Sequence, residues 1–463
     1  MAQETLEDFA LKTLEQGSLT GLSIAVHAIP DAFLLLHVGV GCKHKATSQL
    51  STHDWGRDVV SREAWTEVGD QELITGASTR LGPYIRSWAR RTKPAWMAVA
   101  SVTFIDLTGD DIPDEVRKAE ETVDCDVSYV KVPGYSGDLF HGYASAIESI
   151  VRRVDRKRPN ERPNEIVLVG NMFDRYEGDH EGNLVQLSQM LKGIGLSLGP
   201  VLFSGEAYAR LREASGAGVI ARLPYAAPKK KAIGNLLGTA RRLVDVDLPI
   251  GTEGTSRWLR TIGSAAGVAE ATVERYVRAR EEQIRTHVTR WIPHWRGKRV
   301  AVIAEPPLAA AVCATMIELG LSPRLVGLKG HSLGGKAELL AACARAGVAL
   351  PDDAEILEQP SLALLRERFT ALLVDRRLDG VLGSATDLNV LRTVPPEAIL
   401  GRHAGGAMHP QGPFQIEIGF PKKDFHASYP MPFMGYAGVM MWAQRILDAP
   451  RTWDAGRRAG FES

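Results

Sequence analysis

Short runs of β-branched and aliphatic residues recur along the chain, each followed by a polar turn and then a segment with helical spacing. That alternation is the pattern of parallel α/β units, in which a buried strand is followed by a crossover helix. Phe33 to His37 runs into Gly39-Val40-Gly41-Cys42. Met97 to Thr103 runs into Gly109-Asp110-Asp111 and a helix over Asp114 to Thr122. Val127 to Val132 leads through Pro133-Gly134-Tyr135-Ser136-Gly137 to a helix over Phe140 to Arg153.

The segment Arg152 to Pro163 is densely charged and contains two prolines, so it reads as a surface linker. A second set of units follows: strands at Glu165 to Gly170, Leu198 to Phe203 and Gly216 to Leu223, with an amphipathic helix over Gly182 to Ile194. Helical spacing then runs without a break from Thr261 to Trp295. A third set comprises strands at Arg299 to Ala304, Arg324 to Leu328, Gly380 to Leu382 and Phe414 to Ile418, with helices over Ala310 to Leu319 and Lys336 to Ala346. The last helix covers Tyr436 to Asp448. The expected domains are therefore 1–160, 161–245, a helical connection over 246–298, and 299–463. No repeat of 20 to 50 residues indicates a solenoid.

At 463 residues with 44% hydrophobic and 24% charged positions, the chain has the composition of a globular protein of several domains. Lysine plus arginine and aspartate plus glutamate number 55 each, and a net charge of zero argues against a whole-chain nucleic-acid or membrane-surface binder. Cys42, Cys125, Cys313 and Cys343 form no CxxC pair, which excludes a disulfide framework or a self-contained zinc site and fits a reducing cytoplasm. The acidic start, with Glu4, Glu7, Asp8 and Glu15, is unlike a signal peptide, and the longest apolar run, Leu308 to Ala314, is far too short to span a membrane.

Two short motifs suggest chemistry. Gly330-His331-Ser332-Leu333-Gly334-Gly335 fits the G-x-S-x-G elbow of serine hydrolases, with Asp375, Asp379, His403, His409 and His426 as nominal partners for Ser332. The same stretch, GHSLGGKA, has phosphate-loop spacing but ends in Ala337 where a magnesium-binding hydroxyl belongs. Both are read as a glycine-rich turn, so no nucleotide site is expected. Lys229-Lys230-Lys231 is read as a solvated face, Asp179-His180-Glu181 as a polar loop, Asp110 and Asp111 as helix caps, and His27 and His37 as core histidines.

Three segments of the first domain, IPDAFLLLHVGVGC (Ile29 to Cys42), SVTFIDLTGDDI (Ser101 to Ile112) and VPGYSGDLFHGYASAI (Val132 to Ile147), resemble in order and spacing the nitrogenase component 1 family, which includes the chlorophyll-biosynthetic reductases. The likeness continues through EIVLVGNMFD, LPIGTEGTSRWL (Leu248 to Leu259) and GKRVAVIAEPPLAAAVCATMIELGLSP (Gly297 to Pro323). The C-terminal segment Ile416 to Ala449 is similar to the end of a β-type subunit.

The resemblance implies a fold of three Rossmann-like α/β domains with parallel sheets. It implies an oxidoreductase subunit that works in a hetero-oligomer with a homologous component 1-like subunit and an ATP-hydrolysing iron–sulfur protein. An iron–sulfur cluster lies at the subunit interface in that family. Of its usual cysteine positions this chain keeps Cys42, whereas those near Gly17 to Thr20 and Thr103 hold none, nor does Arg62 to Val68. A cubane-type cluster takes about four protein ligands, so the partner must supply most of them. Asp31, Thr103 and Asp106 are possible oxygen ligands, each more simply a turn or cap residue. Cys125, Cys313 and Cys343 are expected to be packing residues, and His426 is a secondary metal candidate because the α-type subunit has a cofactor histidine in that segment. The implied function is reduction of a tetrapyrrole, an organosulfur compound or a small multiply bonded molecule. The alternatives are a non-catalytic structural or cofactor-assembly subunit and, remotely, a hydrolase acting through Ser332.

Overall fold

The computed structural model describes residues 17–39, 62–69, 71–72, 76–101, 105, 109–132, 137–154, 162–172, 178–237, 242–395, 398, 412–422 and 425–460. Three wholly parallel sheets organise them, as the alternating pattern predicts. The first is built from β1 (Ala32–His37), β2 (Glu63–Trp65), β3 (Trp96–Ser101) and β4 (Asp126–Tyr129), in the order β2-β1-β3-β4. Every residue of β1 is buried, as a central parallel strand covered on both faces requires.

Four helices accompany this sheet: α1 (Ser18–His27), α2 (Leu81–Thr92), α3 (Ile112–Glu120) and α4 (Leu139–Arg153). Phe33 and Leu35 share one core with Leu81 and Ile85 of α2 and Ile112 and Val116 of α3. Asp111 caps α3 by accepting from Asp114 N at 3.1 Å. Helices α1 and α4 touch backbone to backbone: a Cβ on Gly21 would lie 1.8 Å from Leu139 O, and one on Gly142 would lie 1.7 Å from Ser18 O.

The second sheet comprises β5 (Arg162–Val169), β6 (Ser197–Val201), β7 (Ala217–Arg222) and β8 (Arg242–Asp245), in the order β6-β5-β7-β8. It forms one compact unit with the first, spanning Gln16–Tyr176 and Leu196–Val246. Helix α4 joins them: the Tyr143 hydroxyl donates to Asn171 O at 2.9 Å, its ring meets Phe203 edge-on, and Phe140 stacks on Tyr225. The linker is shorter than its charge suggests, because β5 already begins at Arg162.

The other unit holds described residues 178–195 and 247–460. Its sheet has the order β11-β10-β9-β12-β13, with β9 (Arg299–Ala304), β10 (Ser322–Leu328), β11 (Glu355–Glu358), β12 (Gly380–Gly383) and β13 (Phe414–Glu417). Helix α5 (Gly178–Gly193) stands between β5 and β6 in sequence but belongs to this unit. It starts four residues before the expected Gly182, so Asp179-His180-Glu181 is a first helical turn and not a loop. The continuous helix expected from Thr261 is instead α6 (Thr252–Ala266) and α7 (Glu270–Val288), separated because Gly267 takes a left-handed φ of 76° and ends α6.

The close approach of α1 and α4 gives a test. In an isolated helix Gly→Ala stabilises by about 1 kcal/mol. Here Gly142→Ala must displace a carbonyl, and we expect a loss of about 1–3 kcal/mol or more in urea unfolding, as for other overpacked sites.

Candidate functional site

In open parallel sheets, ligands bind beyond the carboxyl ends of the strands where the strand order reverses. In the first sheet that point lies between β1 and β3, and the last rung there pairs His37 with Ser101. The chain leaving β1 leads to Cys42 and the chain leaving β3 leads to Thr103 and Asp106; these three residues lie outside the described residues. Asp31 precedes β1 and so belongs to the opposite edge, roughly 20 Å away along a six-residue strand. It accepts from Tyr208 N at 2.8 Å, which removes it from the set of possible ligands at this edge.

The rung is lined by polar groups taken out of water. His37 is fully buried and its Nδ1 lies 2.9 Å from Oγ1 of Thr66, itself fully buried just past β2. The other ring nitrogen, Nε2, is buried without a hydrogen-bond partner. Burial lowers the His37 pKa to about 4 against the opposing pull of the Asp110 charge, so the ring is neutral at physiological pH. Ser101 Oγ and Tyr129 OH are 2.7 Å apart. Asp110 takes hydrogen bonds from Ala77 N, Ser78 N and Ser78 Oγ, which ties the approach to α3 to the short turn that opens α2. Both aspartates of Gly109-Asp110-Asp111 therefore cap, but on different elements.

The opposite edge holds a second buried pair. His27 Nδ1 is 3.4 Å from Glu63 Oε1 and 2.9 Å from Ser23 O, and burial raises the Glu63 pKa to about 7. Arg62 braces this corner by donating to the carbonyls of Ile29, Ala32 (3.2 Å) and His27 (2.6 Å). Sequence reasoning missed Arg62 and Glu63, because nothing local marks a charged pair at the start of a three-residue strand.

The remaining cysteines are protected thiols. Cys313 and Cys343 are buried and Cys125 is half-buried, and burial raises all three pKa values, those of Cys125 and Cys343 to about 11. In the other unit His426 is exposed, on a loop far in sequence from β1. Among the described residues no three histidine, cysteine, aspartate or glutamate side chains converge as a metal site.

GHSLGGKA forms a strand-to-helix turn, with Ser332 in a short 3-10 turn (His331–Leu333) before the helix Lys336–Arg345. The phosphate-loop alternative fails physically. Glu358 Oε1 accepts from Lys336 N at 2.7 Å, and a Cβ on Gly335 would lie 1.9 Å from it, so a carboxylate already fills the helix N-terminus. Asp379, nominally a triad acid, is instead paired with Arg299 at 2.9 Å. Asp179 turns out to be buried and paired with Lys422, beside Arg445, which stacks on Phe425.

Opposite titrations make the first sheet testable. Between about pH 4 and 6.5 the folded state keeps His37 unprotonated while the unfolded chain binds a proton, so this residue adds stability as pH rises. Between about pH 4.5 and 7 the folded state keeps Glu63 protonated while the unfolded chain releases its proton, so this residue removes stability as pH rises. The two slopes nearly cancel in the native protein. Glu63→Gln leaves the His37 slope uncompensated, and we expect its stability relative to wild type to rise by on the order of 3 kcal/mol between pH 4.5 and 7 in urea unfolding.

Comparison with known proteins gives this geometry its context. The family of nitrogenase component 1 type oxidoreductases matches residues 18–450. The nitrogenase molybdenum-iron protein beta chain of Frankia alni is 22% identical over 450 residues, covering 90% of this chain and 78% of that protein. Two nitrogenase iron-molybdenum cofactor biosynthesis proteins match over shorter stretches. NifE of Clostridium pasteurianum is 22% identical over 42% of this chain, and NifN of Nostoc sp. is 24% identical over 40% of it. The matched part spans 41% of the length of each of these two relatives. A solved structure, nitrogenase Cp1 at pH 6.5, has the same fold, with a TM-score of 0.75 at 16% identity over 95% of this chain and 92% of that one. With a match running through nearly all of its length, the chain belongs to the nitrogenase component 1 type oxidoreductase family.

Proposed function

We propose that this chain is a β-type subunit of a nitrogenase-like reductase. In this reading an ATP-hydrolysing iron–sulfur protein delivers electrons, which pass through an iron–sulfur cluster shared with a homologous subunit to a reducible substrate: a tetrapyrrole, an organosulfur compound or a small multiply bonded molecule. The observation that carries the reading is the carboxyl edge of the first sheet. There a buried neutral histidine with an unbonded ring nitrogen ends the strand that runs into Gly39-Val40-Gly41-Cys42.

Cys42 would hold the cluster, since a thiolate is a soft anionic ligand suited to iron. When bound, the cluster supplies one-electron transfer at low potential. The chain's own residues have two other tasks: the covered faces of the sheet exclude water, and Thr66 fixes the His37 ring. One thiolate does not complete a ligand set, so the remaining ligands belong to the homologous partner. His426 is a secondary metal candidate, and the cytoplasm is the compartment that suits free thiols. No described helix is long and apolar enough to cross a membrane.

A second reading is favoured by the matches to NifE and NifN: a subunit of a cofactor-assembly complex without a turnover of its own. The region Gly17 to Thr20, where the family has a cysteine, offers only the buried hydroxyls of Ser18 and Thr20. That departure suits a scaffold as well as a reductase.

Iron and sulfide analysis tests the proposal. The chain expressed alone should carry little iron, because metal binding needs a complete ligand set. Co-expressed with a cysteine-richer homologous neighbour, it should carry a stoichiometric cluster, and Cys42→Ser should lower the iron content or shift the potential of that complex. A full cluster on the isolated chain, or a Cys42→Ser complex with unchanged iron, spectrum and turnover, would sink it.

A further inference from the structure

The second sheet carries, at its carboxyl edge, buried polar side chains that no described residue satisfies. We infer that Asn171 and Ser204 form a binding site for a small neutral ligand that presents a donor and an acceptor side by side, as a primary amide or a lactam does. The inference goes beyond the proposed function and holds whether the chain acts in a reductase or in an assembly complex.

The place is the point where the order of that sheet reverses. The chain leaves β5 for β6 on one side and then enters β7 on the other, so the edge beyond β5 is where open parallel sheets take their ligands. Asn171 follows the last β5–β7 rung, Val169 with Arg222, by two residues. It is 0% exposed, yet among the described residues neither Oδ1 nor Nδ2 has a hydrogen-bond partner. An interior amide with its donors and acceptor idle is a costly exception, since it has given up its bonds to water for nothing. Ser204, just past the end of β6, has a buried Oγ that is also without a partner. Tyr143 ties the two exits together: its hydroxyl donates to Asn171 O at 2.9 Å and its ring meets that of Phe203 with centroids 5.3 Å apart. Both exits hold left-handed backbone, Gly170 at φ 89° and Phe203 at φ 63°. For a phenylalanine that conformation is strained, and such strain gathers at ligand sites.

The lining sets the chemistry of the ligand. A side-chain amide offers an acceptor and two donors, and a serine hydroxyl offers both kinds, so the pair matches a partner that carries both. The cation at this edge is already engaged: Arg222, at the end of β7, gives Nε to Asp245 at 2.6 Å and Nη1 to Lys230 O at 2.9 Å. A carboxylate or phosphate would lose its hydration there without gaining a counter-charge, so the ligand is neutral. Tyr143 and Phe203 supply the aromatic wall on which small-molecule sites rely. Ser204 is half-buried and Gly205 beside it is exposed, which puts the entrance on the β6 side.

The test uses the full chain labelled with 15N-asparagine and two fragments of one shape: 2-pyrrolidinone, a lactam with adjacent N–H and C=O, and cyclopentanone, which has the C=O alone. In heteronuclear NMR the Asn171 side-chain amide, identified by its absence in Asn171→Leu or Asn171→Asp, should shift saturably with the lactam. Cyclopentanone should bind about fivefold more weakly for the hydrogen bond it lacks, and Ser204→Ala should weaken the lactam by a similar factor. Asn171→Leu should abolish lactam binding, and its melting temperature should equal or exceed that of wild type, because an unsatisfied buried amide has been removed. A wild-type amide that ignores the lactam, or responds equally to both fragments, would overturn the site whether or not the variants fold. An Asn171→Leu chain that melts lower while wild type ignores the lactam would identify a buried water as the partner of the amide, and that too overturns the site.

Discussion

The parallel pairing of β1 with β2 on one side and β3 on the other constrains everything near the candidate site. Parallel neighbours cannot be joined by tight turns, so each must be reached by a crossover, and in the order β2-β1-β3-β4 the chain passes from β1 to β2 on one side and then from β2 to β3 on the other side of β1. The point where the strand order reverses therefore falls between β1 and β3, at their shared carboxyl edge. Burial of all six residues of β1 keeps that edge in register, because a slip of one residue would turn its side chains to the wrong faces.

Burial also decides the chemistry of the ionisable groups. A chain with balanced charge can keep most of its charges in water, and the exceptions are placed with care. His37 is held neutral, Glu63 is held protonated to near neutrality, and the thiols of Cys125, Cys313 and Cys343 are raised well beyond the range in which they would react. Where a charge remains inside, it is paired: Asp179 meets Lys422, with the buried Arg445 guanidinium beside it on the face of Phe425. Desolvation makes such a cluster poor evidence for stability, but breaking it by removing one partner leaves an uncompensated charge.

Helix α5 shows how the fold binds distant sequence together. It carries glycines where the C-terminal segment crosses it, since a Cβ on Gly178 would lie 2.5 Å from Tyr429 O and one on Gly182 2.5 Å from Pro432 N. Next to them, Asn183 Oδ1 accepts from Phe433 N and Met434 N, and Gln186 Oε1 accepts from Ala437 N. Glycine provides the approach and the two amide side chains satisfy the backbone so exposed. The segment that most resembles a β-type subunit is thus held in place by a helix some 250 positions earlier in the chain.

The sequence by itself determined the strands. Arg299 to Ala304 is strand as expected, and the centres of β1, β3, β5, β6, β7, β10, β12 and β13 fall where aliphatic runs occur, because strands buried on both faces need an unbroken apolar stretch. Short or half-exposed elements such as β2, β8 and β11 were not legible, since a few residues carry no period. The sequence also pointed to the caps at Asp110 and Asp111. It read His37 as a core histidine, and the structure has it fully buried at the end of β1, with the Thr66 hydroxyl 2.9 Å from Nδ1 and Nε2 without a hydrogen-bond partner. Which face a residue takes, which hydroxyl reaches Nδ1 and whether Nε2 finds a partner depend on strands 29 and 64 residues away. The left-handed Gly267 that divides the periodic stretch is a local cap, with Val268 N bonded to Gly263 O, which helical period alone overlooks, whereas the carboxylate of Glu358 that fills the Lys336 helix end comes from 22 positions further along the chain and is set by packing.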